Sequence, residues 1–254
     1  MRKANKKDNR FYTKLNQLNQ RVDWYLLEGK FHKAVKLLLS SITICGKKHK
    51  KTHQGLAAYR LATVYLNVYS YEEAIRYYKL SLKCLDSPGE PMTKTVCEIY
   101  KGLYQCYMKR NDKDEALKYA RLICEYTGLP SSEKAQYSLT IANILLKQYE
   151  ETGQITNVIR GITYAKDALK LFERTNSQTI DYITALFTCG DMFFHLREYD
   201  QSLDFLQNAY LRAEELDVFR TLLSRICFLM SRVYALKGDE EQSLFFRNRS
   251  LEFA

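Results

Sequence analysis

The chain has 254 residues, 46% of them apolar and 27% charged, with a net charge of +10. That is ample for one or two cores and too apolar for a disordered segment. Ten Gly and three Pro are few for this length, which disfavours sandwiches and barrels with their frequent tight turns, and no apolar run nears the roughly 18 residues needed to cross a bilayer.

From the N-terminus, residues 1–14 read as a basic tail (Arg2, Lys3, Lys6, Lys7, Arg10 and Lys14) with no apolar stretch behind Met1 to make a secretory leader. The next basic run is Lys47-Lys48-His49-Lys50-Lys51. Residues 1–51 hold fourteen Lys and Arg against three acids, a local charge of +11, which leaves the other 203 residues at −1. Clustered cations can dock nucleic acid or an acidic protein through counterion release. They can equally be a frayed tail and a solvated turn, and with only Phe11 and Tyr12 bordering them they offer little base stacking. Seven Cys without a C-x-x-C pair read as reduced thiols of a cytoplasmic protein, packed as small hydrophobes.

Self-similarity decides the fold. Six stretches superpose, starting at Glu28, Tyr69, Asn111, Gly161, Arg197 and Lys237, and each carries a small residue at one register: Ala34, Ala74, Ala116, Gly161, Ser202, Ser243. Their separations are 40, 42, 45, 41 and 41. A small residue early in a second helix lets a first helix pack close against it. About nine residues upstream a large aromatic ends each first helix: Tyr25, Tyr65, Tyr107, Phe193 and Tyr234, with Tyr149 displaced by a three-residue insertion around Gly153. Seven residues downstream a second contact falls on the same face, at Ser41, Ser81, Ile123, Ala168, Ala209 and Ser250.

These residues resemble the tetratricopeptide repeat (TPR) family, whose W-x2-L-G-x2-Y…A-x3-F…P pattern is approached by Leu61-Ala62…Tyr65…Ala74…Tyr78, by Leu103-Tyr104…Tyr107…Ala116…Ala120…Pro130, and by Cys189-Gly190…Phe193…Ser202…Leu206. The units run near 42 residues, longer than the family's 34, with longer connectors at 86–91 and 128–132. The resemblance covers residues 15–254 and implies an all-α, right-handed α-α superhelix (a TPR-like solenoid) of about six hairpins, with units at about 15–54, 55–96, 97–131, 132–176, 177–222 and 223–254. It further implies that first helices line a concave groove. Carried over residue by residue, the ligand-facing positions are Asn19 and Asp23; Tyr59, Thr63 and Asn67 with adjacent Arg60; Lys101, Gln105 and Lys109; Asn143 and Lys147; Asp191 and His195; Phe228 and Arg232. Amides at such positions can pair a peptide backbone, and cations its carboxylates.

Nothing in the sequence argues for chemistry: there is no Gly-rich phosphate loop and no G-x-S-x-G elbow. Cys45, His49 and His53 would share a helical face only if one helix ran through all three, and Gly46 with the flanking lysines favours an ordinary surface. The expectation is therefore a non-enzymatic protein- or peptide-binding adaptor or regulator, without cofactor, metal or membrane partner. The long units resemble cytoplasmic peptide-pheromone receptors of the Rap, PlcR and NprR type and long-repeat scaffolds, so an intracellular signalling-peptide sensor is one form it could take. A nucleic-acid-associated protein using residues 1–51 is the alternative.

Overall fold

The computed structural model describes residues 2–85, 93–175, 179–216 and 220–254, the first seven of these by their backbone alone. The expected connector at 86–91 lies outside them. Among the described residues there are twelve helices and no strand: α1 (Arg2–Leu27), α2 (Phe31–Lys47), α3 (Lys51–Asn67), α4 (Tyr71–Leu85), α5 (Lys94–Lys109), α6 (Lys113–Glu125), α7 (Ser131–Thr152), α8 (Ile155–Arg174), α9 (Ile180–His195), α10 (Tyr199–Glu215), α11 (Arg220–Lys237) and α12 (Glu240–Glu252). The chain forms two compact units, residues 1–122 and 123–254. Helix α1 runs without a break through the stretch read as a basic tail.

Each hairpin turn is built alike. A residue in the left-handed region follows the first helix: Gly29, Tyr69, Asn111, Gly153, Arg197 and Gly238, with φ between 58° and 80°. In five of them the next backbone N–H reaches back to the carbonyl of the terminal aromatic, as in Lys30 to Tyr25 at 2.8 Å, Asp112 to Tyr107 at 3.0 Å and Asp239 to Tyr234 at 3.0 Å. This pairing satisfies carbonyls that a helix C-terminus leaves open. Gly153 closes its turn with a single bond to the Tyr149 carbonyl, 2.7 Å.

That shared turn corrects the register of the fourth hairpin. Tyr149 lies four residues before Gly153, as Tyr65 lies four before Tyr69, so no insertion separates them. Five residues after each turn comes the register position, and here it is Val158, fully buried, instead of Gly161. The contact seven residues on is then Ala165 rather than Ala168, both fully buried. Composition misled because Gly161 is the small residue nearest the expected place.

Gly161 occupies a different position. Eight residues after the turn, four hairpins carry an aromatic that stacks in parallel on the first helix's terminal aromatic: Tyr65–Tyr77, Tyr107–Tyr119, Phe193–Phe205 and Tyr234–Phe246, at 5.5–5.7 Å and within 9° of coplanar. In the fourth hairpin Gly161 stands there, and Met192 of α9 fills the space, so that a Cβ would meet its Cε at 2.4 Å. Elsewhere small hydroxyls bring the paired helices together: Ser81 donates to the Gly55 carbonyl and Ser202 to the Gly190 carbonyl, each at 2.8 Å.

In unit 2, α7 approaches α9 and α9 approaches α11 with no helix between, whereas α8, α10 and α12 make no such mutual approach among the described residues. First helices form the inner layer of that unit. In unit 1, α3 and α5 meet in the same way.

Candidate functional site

In unit 1 the first-helix side chains are largely engaged with each other. Arg60 on α3 donates to Asn19 Oδ1 at 3.2 Å and forms an ion pair with Asp23, linking α3 to α1. Tyr59 and Thr63 lie one turn apart on α3. The Thr63 hydroxyl is 3.3 Å from the phenol of Tyr78, whose ring is buried and whose proton is held up to about 12 by burial. Burial likewise raises Tyr59, assisted by the negative charge of Glu98 and opposed by Lys101. Lys101 itself pairs with Glu98 at 3.1 Å and is only 17% exposed. Asn67, Gln105 and Lys109 are exposed, Asn67 and Lys109 each at the last residue of a first helix. The structure thus gathers Tyr59, Thr63 and Lys101 with Arg60 as their neighbour, and gives both central cations a carboxylate partner within the fold.

Unit 2 is arranged differently. Asn143 on α7 accepts from the Thr188 hydroxyl of α9 at 3.0 Å. Asp191 and His195, one turn apart on α9, stand 3.4 Å from Oδ1 to Nε2. Burial pushes the Asp191 carboxyl above its ordinary range. His195, Arg225 and Arg232 act against that shift and Glu150 adds to it. The His195 ring sits edge-on to Tyr149 at 4.9 Å, a contact open to Tyr149 because Gly161 offers it no ring within its own hairpin. On α11, Arg232 lies over Phe194 at 4.6 Å and Arg225 over Phe187 at 4.7 Å. Phe228 between them is 55% exposed, and Lys147 on α7 is exposed. Asn143, Asp191, His195, Phe228 and Arg232 therefore belong to three successive first helices of one unit.

Sequence reasoning missed Arg225, although it precedes Arg232 by seven residues and so had to share its face. It also missed Thr188 and the two phenylalanines under the arginines. No sequence signal separates a ring that carries a guanidinium from one that fills a core.

The lysine run of residues 47–51 spans the α2–α3 turn. Helix α2 ends at Lys47, α3 begins at Lys51, and His49 between them has φ 53°. Cys45, His49 and His53 therefore do not lie on one helix, and no group of three His, Cys, Asp or Glu able to hold a metal occurs among the described residues. Lys50 lies over the Tyr12 ring at 5.4 Å. No helix among the described residues is long and apolar enough to cross a membrane.

No family model and no curated protein sequence matches the chain. Solved structures do. One is BtubC (BKLC) from P. vanneervenii, 16% identical over 88% of this chain and 90% of that one, with a TM-score of 0.59. A second is YrrB, described as a TPR protein with an unusual peptide-binding site, at 14% identity over 84% and 92% with a TM-score of 0.58. A third is the apo form of RapI, at 11% identity over 94% and 97% with a TM-score of 0.56. The fold is of the TPR type. At such identities the likeness speaks for the fold, and the TPR-type chain's function has to be argued from its own side chains.

Proposed function

We propose that this TPR-type chain is a non-enzymatic adaptor or regulator of the cytoplasm that binds an extended peptide or protein segment on its first-helix faces. The observation that carries the reading is the surface of α7, α9 and α11. There an amide, a carboxylate, an imidazole and guanidinium groups stand beside a half-exposed phenyl ring. Such a surface offers donors and acceptors for a peptide backbone, charges for its side chains and an apolar seat. The peptide-binding site named for the fold neighbour YrrB is consistent with it. In unit 1 the candidate contacts are Tyr59, Arg60, Thr63 and Lys101 with the exposed Asn67, Gln105 and Lys109; in unit 2 they are Asn143, Lys147, Asp191 and Arg232. A signalling peptide is one ligand such a surface could take.

A displayed peptide library selected on the purified chain tests this. Selected peptides should lose about ten-fold or more in affinity on Lys147→Ala or Lys109→Ala, since each removes a charge-assisted contact, and should ignore Lys170→Ala on the second helix α8. Selected ligands indifferent to every first-helix variant would overturn the reading. Ligands lost instead on replacing Lys47, Lys48, Lys50 and Lys51, with a steep salt dependence, would favour the nucleic-acid alternative.

A further inference from the structure

The two arginines of α11 form a repeated device. Arg225 lies over Phe187 and Arg232 over Phe194, so each guanidinium covers the ring 38 residues before it, and the two pairs stand seven residues apart on both helices. Seven residues of helix advance about 10.5 Å. A guanidinium held over an aromatic ring is restrained there without giving its N–H donors to an ionic or carbonyl acceptor. Neither guanidinium has a hydrogen-bond or ion-pair partner among the described residues. In contrast, Arg60, Lys101 and Arg110 of unit 1 are all paired with carboxylates. Between the forks, on the same face, lies Phe228, 55% exposed and 6.0 Å from the Arg232 guanidinium.

The charges facing this strip are Lys147 and Glu150 from α7 and Asp191 and His195 from α9. Asp191 is the acid whose charge both arginines feel, and its close partner is His195, 3.4 Å away. Against the two guanidinium groups and Lys147 stand the carboxyl groups of Glu150 and Asp191. What remains is a positive strip with an apolar centre.

Resting on the peptide-binding reading above, we infer that Arg225, Phe228 and Arg232 bind an acidic peptide segment whose two carboxylates lie about 10 Å apart and flank an apolar side chain. In a polyproline II conformation three residues advance about 9.3 Å and bring the first and fourth side chains to one side. The occupant is therefore an acid-x-x-acid segment with an apolar residue between the acids. Each carboxylate takes a bidentate pair of N–H bonds from a guanidinium fork, and Phe228 packs against the apolar stretch of chain between them.

Fluorescence anisotropy with a labelled peptide, acetylated and amidated, of sequence Gly-Pro-Glu-Leu-Pro-Glu-Pro-Gly tests this on the full chain. The Glu peptide should bind at least ten-fold more tightly than its counterpart with Gln at both acid positions. Arg225→Gln and Arg232→Gln should each abolish most of that preference, and Phe228→Ala should weaken both peptides alike. Moving the two Glu to adjacent positions should cost several-fold. Equal binding of the Glu and Gln peptides, or a preference that survives both arginine variants, would overturn the inference. So would a preference for an oligonucleotide that depends on the same two arginines. The broader reading would still stand if library-selected peptides respond to Lys147→Ala while ignoring Arg225 and Arg232.

Discussion

Gly102 of α5 is seated on the ring of Tyr78 of α4: a Cβ added at Gly102 would stand 2.3 Å from its Cζ and 2.5 Å from its hydroxyl. Tyr78 cannot give way, being buried at 2% exposure with its phenol against Thr63. Gly102→Ala should therefore overpack unit 1 and cost about 1–3 kcal/mol. Gly161→Ala meets only the tip of Met192, a flexible side chain with other rotamers to take. Its cost should stay below about 1 kcal/mol, helped by the better helix propensity of Ala. Urea unfolding of both variants checks the contrast, and equal losses would refute it.

Arg197 holds a left-handed backbone, φ 62°, at a turn where three other hairpins place Gly. Its side chain is exposed. Arg197→Gly should stabilise the protein by about 0.5–1 kcal/mol as the strain on a non-Gly residue is relieved, less the extra entropy of the unfolded chain. A lower melting temperature would contradict this.

Asp191 gives stability a pH dependence of definite sign. Its folded pKa is raised by burial, so the folded state takes up its proton more readily than the unfolded chain. The associated stability is fully present below the ordinary carboxylate value of about 3.9 and is lost as pH rises through the higher folded value. Asp191→Asn removes the cost of a buried charge, so its stability relative to the parent should be most favourable at pH 7.5 and should fall back toward pH 4.5. Chemical denaturation at the two pH values measures it, and a trend in the opposite direction would mean that the His195 contact outweighs burial.

The thiols should divide by position. Burial pushes Cys106 and Cys227 up to about 11 and Cys189 up to about 12, whereas Cys84 and Cys124 are only partly buried and less affected. Since the thiolate is the reactive form, a disulfide reagent at pH 8 should modify the partly exposed Cys84 and Cys124 well before the buried Cys189. Peptide mapping after brief exposure reads the order, and equal labelling of Cys189 would show that its hairpin opens.

The hairpin count and the terminal aromatics were legible in the sequence because the turn imposes a strict interval: Tyr65, Tyr107, Phe193 and Tyr234 each precede a left-handed residue by four. What the interval could not convey was which small residue mattered. Val158 is a legitimate occupant of the tight register, and Gly161 is small because a ring is missing eight residues past its turn. The candidate site was legible only as a list of positions. Lys101 and Arg60 promised free cations, yet Glu98, one turn back on the same helix, and Asp23 of α1 already take them; the first pairing was open to a helical reading of the sequence, whereas the second, between helices, has no local signature in either one. The two arginines of α11 have no such ion pair among the described residues and lie instead over phenyl rings.

The glycine opposite Tyr149 has a consequence for how the molecule can change. Parallel ring stacks clamp four hairpins at their closed ends, each worth about 0.5–1.5 kcal/mol beyond the area it buries. The fourth hairpin lacks that clamp, and the space beside its Gly161 is filled by Met192, which belongs to the next hairpin and reaches in from the same helix that carries Asp191 and His195. A ligand that tugs on α9 would therefore be felt first between α7 and α8. Amide exchange there should respond to occupancy before it does at any ring-clamped hairpin.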